Sequence, residues 1–426
     1  MKPIDVIEVR IWDRLVGALA FDPQAGAYAF EYAPEWTRGG VELAPLMMPI
    51  GARRPRFVFP ALDRDAFHGL PGLIADALPD DFGNQLIDAW MAQRGIERSA
   101  VSVLDRLAYM GRRGMGALEF RPARGSHIES AAPLQMQQLV EEARRSIHAD
   151  LTDPDDTQTA LANIIRVGTS AGGARAKAVV AWNPDTQELR SGQFDVAPGF
   201  EHWLLKFDGV GRDLELGASA DYGRIEYAYY RMAIAAGIEM SDSRLFEENG
   251  RAHFMTRRFD RNGNDKLHLQ SLCALQHMNY RQRLTHAYES LFLTIHKLGL
   301  DSAVMTQAFL RMAFNVVGKN HDDHTKNVAF LLPRNGAWQL APAYDVTYAY
   351  NPNGEWTAKH LMSVNGKFDD IGRADLIAVA DRFSIPGARA AIEAINTAIA
   401  DWSEHADAAG VPVDTRNRLA KDHCHI

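Results

Sequence analysis

The run Gly318-Lys319-Asn320-His321-Asp322-Asp323-His324-Thr325-Lys326-Asn327 crowds titratable, metal-binding and phosphate-binding side chains together. An apolar stretch, Ala308 to Val317, precedes it, and another, Val328 to Leu332, follows. Buried polar groups need partners, so such a cluster is either a loop with satisfied contacts or a site. Asp322 and Asn327 have the D-x-x-x-x-N spacing of a phosphoryl-transfer loop. In that chemistry the Asp orients or accepts the proton of a substrate hydroxyl, and the Asn holds Mg²⁺ against the phosphates. Further on, Leu340-Ala341-Pro342-Ala343-Tyr344-Asp345 ends on a carboxylate. A kinase places its second metal ligand, the Asp of D-F-G, at the equivalent point. Here the letters are Tyr-Asp-Val, so the agreement is one of order along the chain.

Each piece has a plainer reading. A lone Asp-x4-Asn arises by chance, and a lone Asp after a strand is usually a turn residue. The hairpin between them, with Arg334-Asn335-Gly336 as its turn signal, is what joins them into one constellation. A rival reading takes His321, Asp322, Asp323 and His324 as the metal cluster of a phosphohydrolase. Gly318 and Asn320 argue against the regular helix that this would need.

Phosphoryl transfer also requires a cation and a loop over the phosphates. His202-Trp203-Leu204-Leu205-Lys206-Phe207 reads as a strand with one Lys among apolar neighbours, costly to bury unless paired. Upstream lies the small-residue run Gly168-Thr169-Ser170-Ala171-Gly172-Gly173-Ala174-Arg175-Ala176-Lys177, followed by the strand Ala178 to Trp182. Small residues let backbone N–H groups approach phosphate. No Gly-Lys-Ser/Thr follows at Walker A spacing. Glu226, on a helix after the Lys strand, could pair with Lys206 or simply face solvent. His253 to Arg261 is a strand running into a turn, in the place of an interlobe hinge. Phe259 there could pack on a base or in the core.

The elements that must position these groups follow from periodicity. Val6 to Trp12 and Leu15 to Phe21 read as a hairpin about Asp13-Arg14, with Tyr28 to Tyr32 as a third strand. Helical spacing covers Asn84 to Arg94, Leu134 to His148, Ile225 to Ala236 and Ala388 to Ala400. The chain is therefore β-rich in front, mixed in the middle and helical behind. The expected division is 1–125, 126–262 with the Gly-rich loop and hinge, and 263–426 with the catalytic loop.

Composition excludes several classes. The 426 residues are 46% hydrophobic and 23% charged, an ordinary globular mix. The net charge of −8 rules out coating nucleic acid by bulk charge. Two cysteines, Cys273 and Cys424, supply neither a disulfide framework nor a four-cysteine zinc site. The first residues lack an apolar signal-peptide core, and no stretch reaches the roughly 18 apolar residues of a membrane span. A cytoplasmic protein is expected.

With these pieces in order, the sequence resembles the HipA family of serine/threonine kinase toxins. The resemblance rests on Ser170 to Lys177, His202 to Lys206, Arg258-Phe259-Asp260-Arg261, the N-x-D-x-H-x-K-N loop from Asn320 to Asn327, and Ala341 to Asp345. Gly17-x-Leu19 and Leu78-Pro79-Asp80-Asp81-Phe82-Gly83 resemble the family's front subdomain. It implies an α+β, divergent protein-kinase-like fold: a β-rich N-lobe with an extra N-terminal subdomain, and a helical C-lobe. It implies ATP and Mg²⁺, with Asp322 as the catalytic residue and Asn327 and Asp345 as metal ligands. Nucleotide contacts would come from Gly172, Gly173, Ala174, Arg175, Ala176 and Lys177, then Lys206 on the α/β-phosphates. Arg257, Arg258 and Phe259 would serve the hinge, with any adenine contact at Arg257 made by its backbone. His324, Thr325, Lys326, Asn327, Tyr344 and Asp345 would complete the site. Ser170 would be autophosphorylated, which inactivates the enzyme. The implied partners are a helix-turn-helix antitoxin, DNA through that antitoxin, and a protein substrate such as an aminoacyl-tRNA synthetase. A small-molecule kinase and a non-catalytic co-repressor module are the alternatives.

Overall fold

Alternation of apolar and polar residues builds the front of the chain. Val6–Ile11 (β1) buries Ile7, Val9 and Ile11 and turns Val6, Glu8 and Arg10 outward, the half-buried pattern of an antiparallel strand. It joins Arg14–Asp22 (β2), Ala27–Tyr32 (β3), Arg56–Val58 (β4) and Leu118–Arg121 (β5) in an antiparallel sheet of order β4-β3-β2-β1-β5. The β1–β2 turn lies one residue earlier than the sequence suggests. Trp12 and Asp13 take the two left-handed positions, at φ 49° and 63°. A two-residue hairpin turn of this hand needs positive φ at both centres. Trp12 is pinned there by its indole N–H, which donates to Lys266 O at 2.8 Å.

The computed structural model describes residues 4–53, 55–92, 94–124, 176–209, 212–213, 217–218 and 221–426. The helix expected over Leu134 to His148, Ser170 and the positions Gly172 to Arg175 lie outside them. The chain divides into two units. One comprises Met1–Gly211, Arg257–Asn279 and Leu331–Ala337; the other comprises Arg212–Thr256, Tyr280–Phe330 and Trp338–Ile426.

Besides the front sheet, the first unit holds Lys177–Trp182 (β6), Leu189–Ser191 (β7) and Glu201–Lys206 (β8), with β6 antiparallel to both others. Every residue of β6 is buried, which explains the apolar run Ala178 to Trp182 after Lys177. Helices Asp81–Ala92 and Val103–Met110 pack in the same unit, the second started by a Ser102/Asp105 capping box.

The second unit is mostly helical. Strands Ser243–Glu248 and Arg251–Arg257, in this unit as far as Thr256, pair through an Asn249-Gly250 turn with both φ positive. Helix Ser302–Val317 begins with the Asp301 carboxylate accepting from Ala303 N and Val304 N. It buries Phe309, Met312, Phe314 and Val317, and it delivers the chain into the Gly318–Asn327 segment. Helices Tyr222–Ala235, Tyr288–Lys297 and Ala388–Ala400 contribute apolar faces to the same unit. Tyr229, fully buried, donates its hydroxyl to Gly318 O at 2.5 Å and so fixes where the helix stops.

Candidate active site

The loop after Gly318 is held almost wholly by backbone. Asn320 N donates to Asn315 O, His321 N donates to Ala349 O, and Ala349 N donates to Lys319 O, each at 3.0 Å. Lys319 takes the left-handed conformation, φ 56°, where the helix gives way to the loop. Asn327 closes the loop: its N–H donates to His324 O at 2.8 Å, and its Nδ2 donates to Asp322 O at 2.7 Å. With the amide nitrogen engaged on the loop, the end of Asn327 suited to a cation is its oxygen.

The two adjacent carboxylates point to different surroundings. Asp322 has 52% of its side chain exposed, with His324 Nε2 at 3.8 Å. Asp323 is buried and accepts three hydrogen bonds, from Tyr288 OH at 2.8 Å, His360 Nδ1 at 2.9 Å and Leu361 N at 2.7 Å. Burial and the Asp323 charge push the Tyr288 phenol well above its ordinary range, so it remains a donor. His321 lies against His360, ring centroids 4.0 Å apart, and against Tyr350. Burial, then His360 and Lys319, hold the His321 imidazole far below its usual range, so it is neutral. The rival metal cluster is therefore not assembled: His321 and Asp323 turn inward, away from Asp322. Among the described residues no group of three or more His, Cys, Asp or Glu converges as a metal site.

The second arm of the site comes from the strand pair. Ala341 N donates to Ala329 O, and Ala343 N donates to Glu239 O. Asp345 follows at φ 53°, in the left-handed region that Asp tolerates better than most residues. Asn320 bridges the two arms, its Nδ2 donating to Asn315 Oδ1 at 2.9 Å and to Asp345 O at 3.3 Å. Tyr344 OH donates to Lys326 O at 2.5 Å.

These contacts leave a cleft of about 450 Å³ of atom-free space, part of it open to solvent, lined by Asn320, Asp323, His324, Asn327, Tyr344 and Asp345. His324, Asn327, Tyr344 and Asp345, singled out from sequence, thus share one cleft. Asp322 stands at its loop with the carboxylate in solvent. Thr325 is buried, and Lys326 places its ammonium 4.6 Å from the Tyr280 ring centroid. One carboxylate and one amide oxygen are a sparse protein ligand set. That suits Mg²⁺, which is held by one or two carboxylates with the remaining positions on phosphates and water.

Sequence reading missed Arg311 and Asn315, which also line the cleft. They stand four apart in the otherwise apolar stretch Ala308 to Val317 of the helix, hence on one face, and that spacing was the available signal. Arg311 is buried and donates Nη1 to Ala341 O at 2.8 Å, bracing the strand that leads to Asp345. Burial lowers its pKa to about 10, with Glu239 opposing, so it stays charged at neutral pH. The partners of Asp323, Tyr288 and His360, were missed as well and carry no local signal.

The remaining candidates, Glu226 apart, belong to the first unit. Ala176 is fully buried just before β6. Lys177 opens β6 and is the register partner of Lys206, which ends β8. Lys177 Nζ lies 3.9 Å from Asp80 Oδ2, both side chains almost fully buried. Arg257 is exposed, with Glu201 at 3.7 Å, and Phe259 is half-buried. Arg258 is buried on Asp260, donating Nε and Nη2 to its two oxygens at 2.9 and 2.7 Å. Arg261 Nη1 and Gly116 N also donate to Asp260, each at 2.7 Å. Burial opposes ionisation of Asp260, but the Arg258 and Arg261 charges win and hold its carboxyl far below the usual 3.8. Glu226 is buried on helix Tyr222–Ala235 of the second unit.

Residues 169–405 match the model of the HipA-like C-terminal domain, and residues 7–121 match that of the HipA N-terminal domain. The chain belongs to the HipA family. A solved structure of Shewanella oneidensis MR-1, a complex of the HipA and HipB toxin–antitoxin system with its operator DNA, has a similar chain. The TM-score is 0.66 at 16% identity, covering 97% of this chain and 96% of that one. The α+β fold expected from the resemblance is thus the HipA fold. The Helicobacter pylori proinflammatory kinase CtkA aligns over 52% of this chain and 91% of its own, with a TM-score of 0.33 and 12% identity. No curated protein sequence matches this HipA-family chain. No described helix is long and apolar enough to cross a membrane.

Proposed function

We propose that this HipA-family chain is an ATP- and Mg²⁺-dependent serine/threonine kinase, the toxin of a toxin–antitoxin pair. The observation that carries the reading is the sharing of one cleft by His324, Asn327 and Asp345, with the Asp322 carboxylate exposed at the same loop. Asp322 accepts the proton of a substrate hydroxyl as its oxygen attacks the γ-phosphorus; the bond to the β–γ bridging oxygen breaks, and ADP leaves with that electron pair. Asn327 and Asp345 are the residues that would hold Mg²⁺, which would supply charge neutralisation on the phosphates. Arg311 and Asn320 keep the Asp345 arm and the loop in register. On the family resemblance, Lys206 and Lys177 of the first unit would contribute contacts to phosphate oxygens.

Ser170 is the site of self-modification. A phosphate there, of roughly −2 charge, repels the incoming triphosphate and shuts the enzyme off. The fold shared with a HipA–HipB–operator complex supports a helix-turn-helix antitoxin as partner, with DNA reached through it. An aminoacyl-tRNA synthetase is the substrate class that the family resemblance favours.

The test is direct. Purified protein incubated with γ-labelled ATP and Mg²⁺ gains label at Ser170, and Asp322→Ala gains none. Equal labelling of the two proteins refutes the assignment.

A further inference from the structure

The front motif Leu78-Pro79-Asp80-Asp81-Phe82-Gly83 has no part in the chemistry above, yet Asp80 ends beside a residue that does. Its Oδ1 accepts from Gly83 N at 2.7 Å, which orients the carboxylate at the start of helix Asp81–Ala92. Its Oδ2 then faces Lys177 Nζ at 3.9 Å, with 2% of the Asp80 side chain and 4% of the Lys177 side chain exposed. Lys177 is the first residue of β6, directly after the Gly-rich segment in sequence. Its register partner is Lys206. Directly opposed residues of an antiparallel pair project to the same side of the sheet. Two ammonium-bearing side chains therefore leave one face together, an arrangement that like charge disfavours and that the Asp80 carboxylate beside Lys177 partly offsets.

We infer that Asp80 is a positioning residue for nucleotide binding: from the N-terminal domain, it fixes the Lys177 ammonium where the triphosphate needs it. The inference rests on the proposed kinase reading and extends it to a residue outside the HipA-like C-terminal domain. Lys is a flexible point charge on a four-carbon stem, so an undirected Lys loses rotamer freedom on binding phosphate. A buried carboxylate at its head removes that freedom in advance. Asp80 needs no contact with the nucleotide to act in this way.

The consequence is a split between binding and turnover. Asp80→Asn keeps the shape and the acceptor for Gly83 N but loses the charge that directs Lys177. The full-length protein, Asp80→Asn, Lys177→Gln and the double variant are compared for MgATP affinity by calorimetry and for phosphorylation rate at saturating ATP. Melting temperature is recorded for each. Asp80→Asn is expected to weaken MgATP binding and raise the KM for ATP about tenfold, with kcat within about twofold. The double variant is expected to bind no more weakly than Lys177→Gln alone, because Asp80 has nothing left to direct. Asp80→Glu should recover part of the affinity. If the two losses multiply in the double variant, or if Asp80→Asn lowers kcat and melting temperature with KM unchanged, Asp80 is merely structural and the inference is overturned. If the wild-type protein binds no MgATP, the kinase reading falls and takes the inference with it.

Discussion

Asp260 and Asp322 show two opposite uses of a carboxylate. Asp260 is enclosed: two guanidiniums and a backbone N–H occupy it, and no face of it meets water. The backbone carbonyl of Asp322 accepts from the Asn327 amide, His324 Nε2 lies 3.8 Å from its carboxylate, and half of its side chain is in solvent. The first arrangement leaves the carboxylate no unpaired face, which suits it to cementing the fold. The second fixes the main chain and leaves the acid able to accept a proton from an outside molecule. Charge density does not distinguish a structural cluster from a reactive one; what matters is whether the charges are consumed by one another.

The sharpest way to break this contrast is to neutralise each acid without changing its size. Asp322→Asn should lower the phosphorylation rate by about a thousandfold, the middle of the range for a positioned acid–base group. Its melting temperature should stay within about 2 °C of wild type, as expected for an exposed side chain. Asp260→Asn should do the reverse. It leaves two buried guanidiniums short of a counter-charge and should cost on the order of 3–5 kcal/mol in urea unfolding, while the rate per folded molecule is kept. A stable Asp260→Asn would refute the cementing role.

Acid should find the enclosed region before the open one. His268, fully buried with Nε2 3.2 Å from Leu43 O, has its pKa lowered to about 4 by burial. The fold therefore binds fewer protons at this ring than the unfolded chain does. Its contribution to stability is complete above pH 6.5 and is lost progressively as pH falls towards 4, on the order of 3 kcal/mol. Denaturant unfolding from pH 7 to 4 should show that slope, and His268→Gln should flatten it. The smallest effect is expected at Tyr288→Phe, which deletes one of the three donors to Asp323. About 1 kcal/mol of stability should go, read as a lowered denaturant midpoint, with a modest fall in phosphorylation rate. A larger fall than Asp322→Asn produces would mean that the inward acid, not the outward one, carries the chemistry.

Much of this was legible because the signals are local. Strands β1 to β3 announce themselves by alternation, and the helix ending at Val317 by its apolar run. The loop is legible because Asp322, Asn327 and Asp345 keep their order around a hairpin. The one-residue shift of the first turn was not legible, since it depends on Trp12 reaching Lys266 far along the chain. Nor could sequence tell Asp322 from Asp323: two identical neighbours differ only through Tyr288 and His360, which arrive from elsewhere in the fold. Asp80 was legible as a motif but not as a neighbour of Lys177. A burial-dependent ion pair between distant positions leaves no periodic trace.

The backbone at Asp345 has a practical corollary. Its left-handed geometry suits Asp and Asn and penalises almost every other side chain except Gly. Asparagine is therefore a replacement that strips the carboxylate from the cleft while leaving the bend intact. On the proposed kinase reading, a chain altered in this way would be a faithful but inert replica, fit to serve as bait for stalled assemblies with a nucleotide or a protein target.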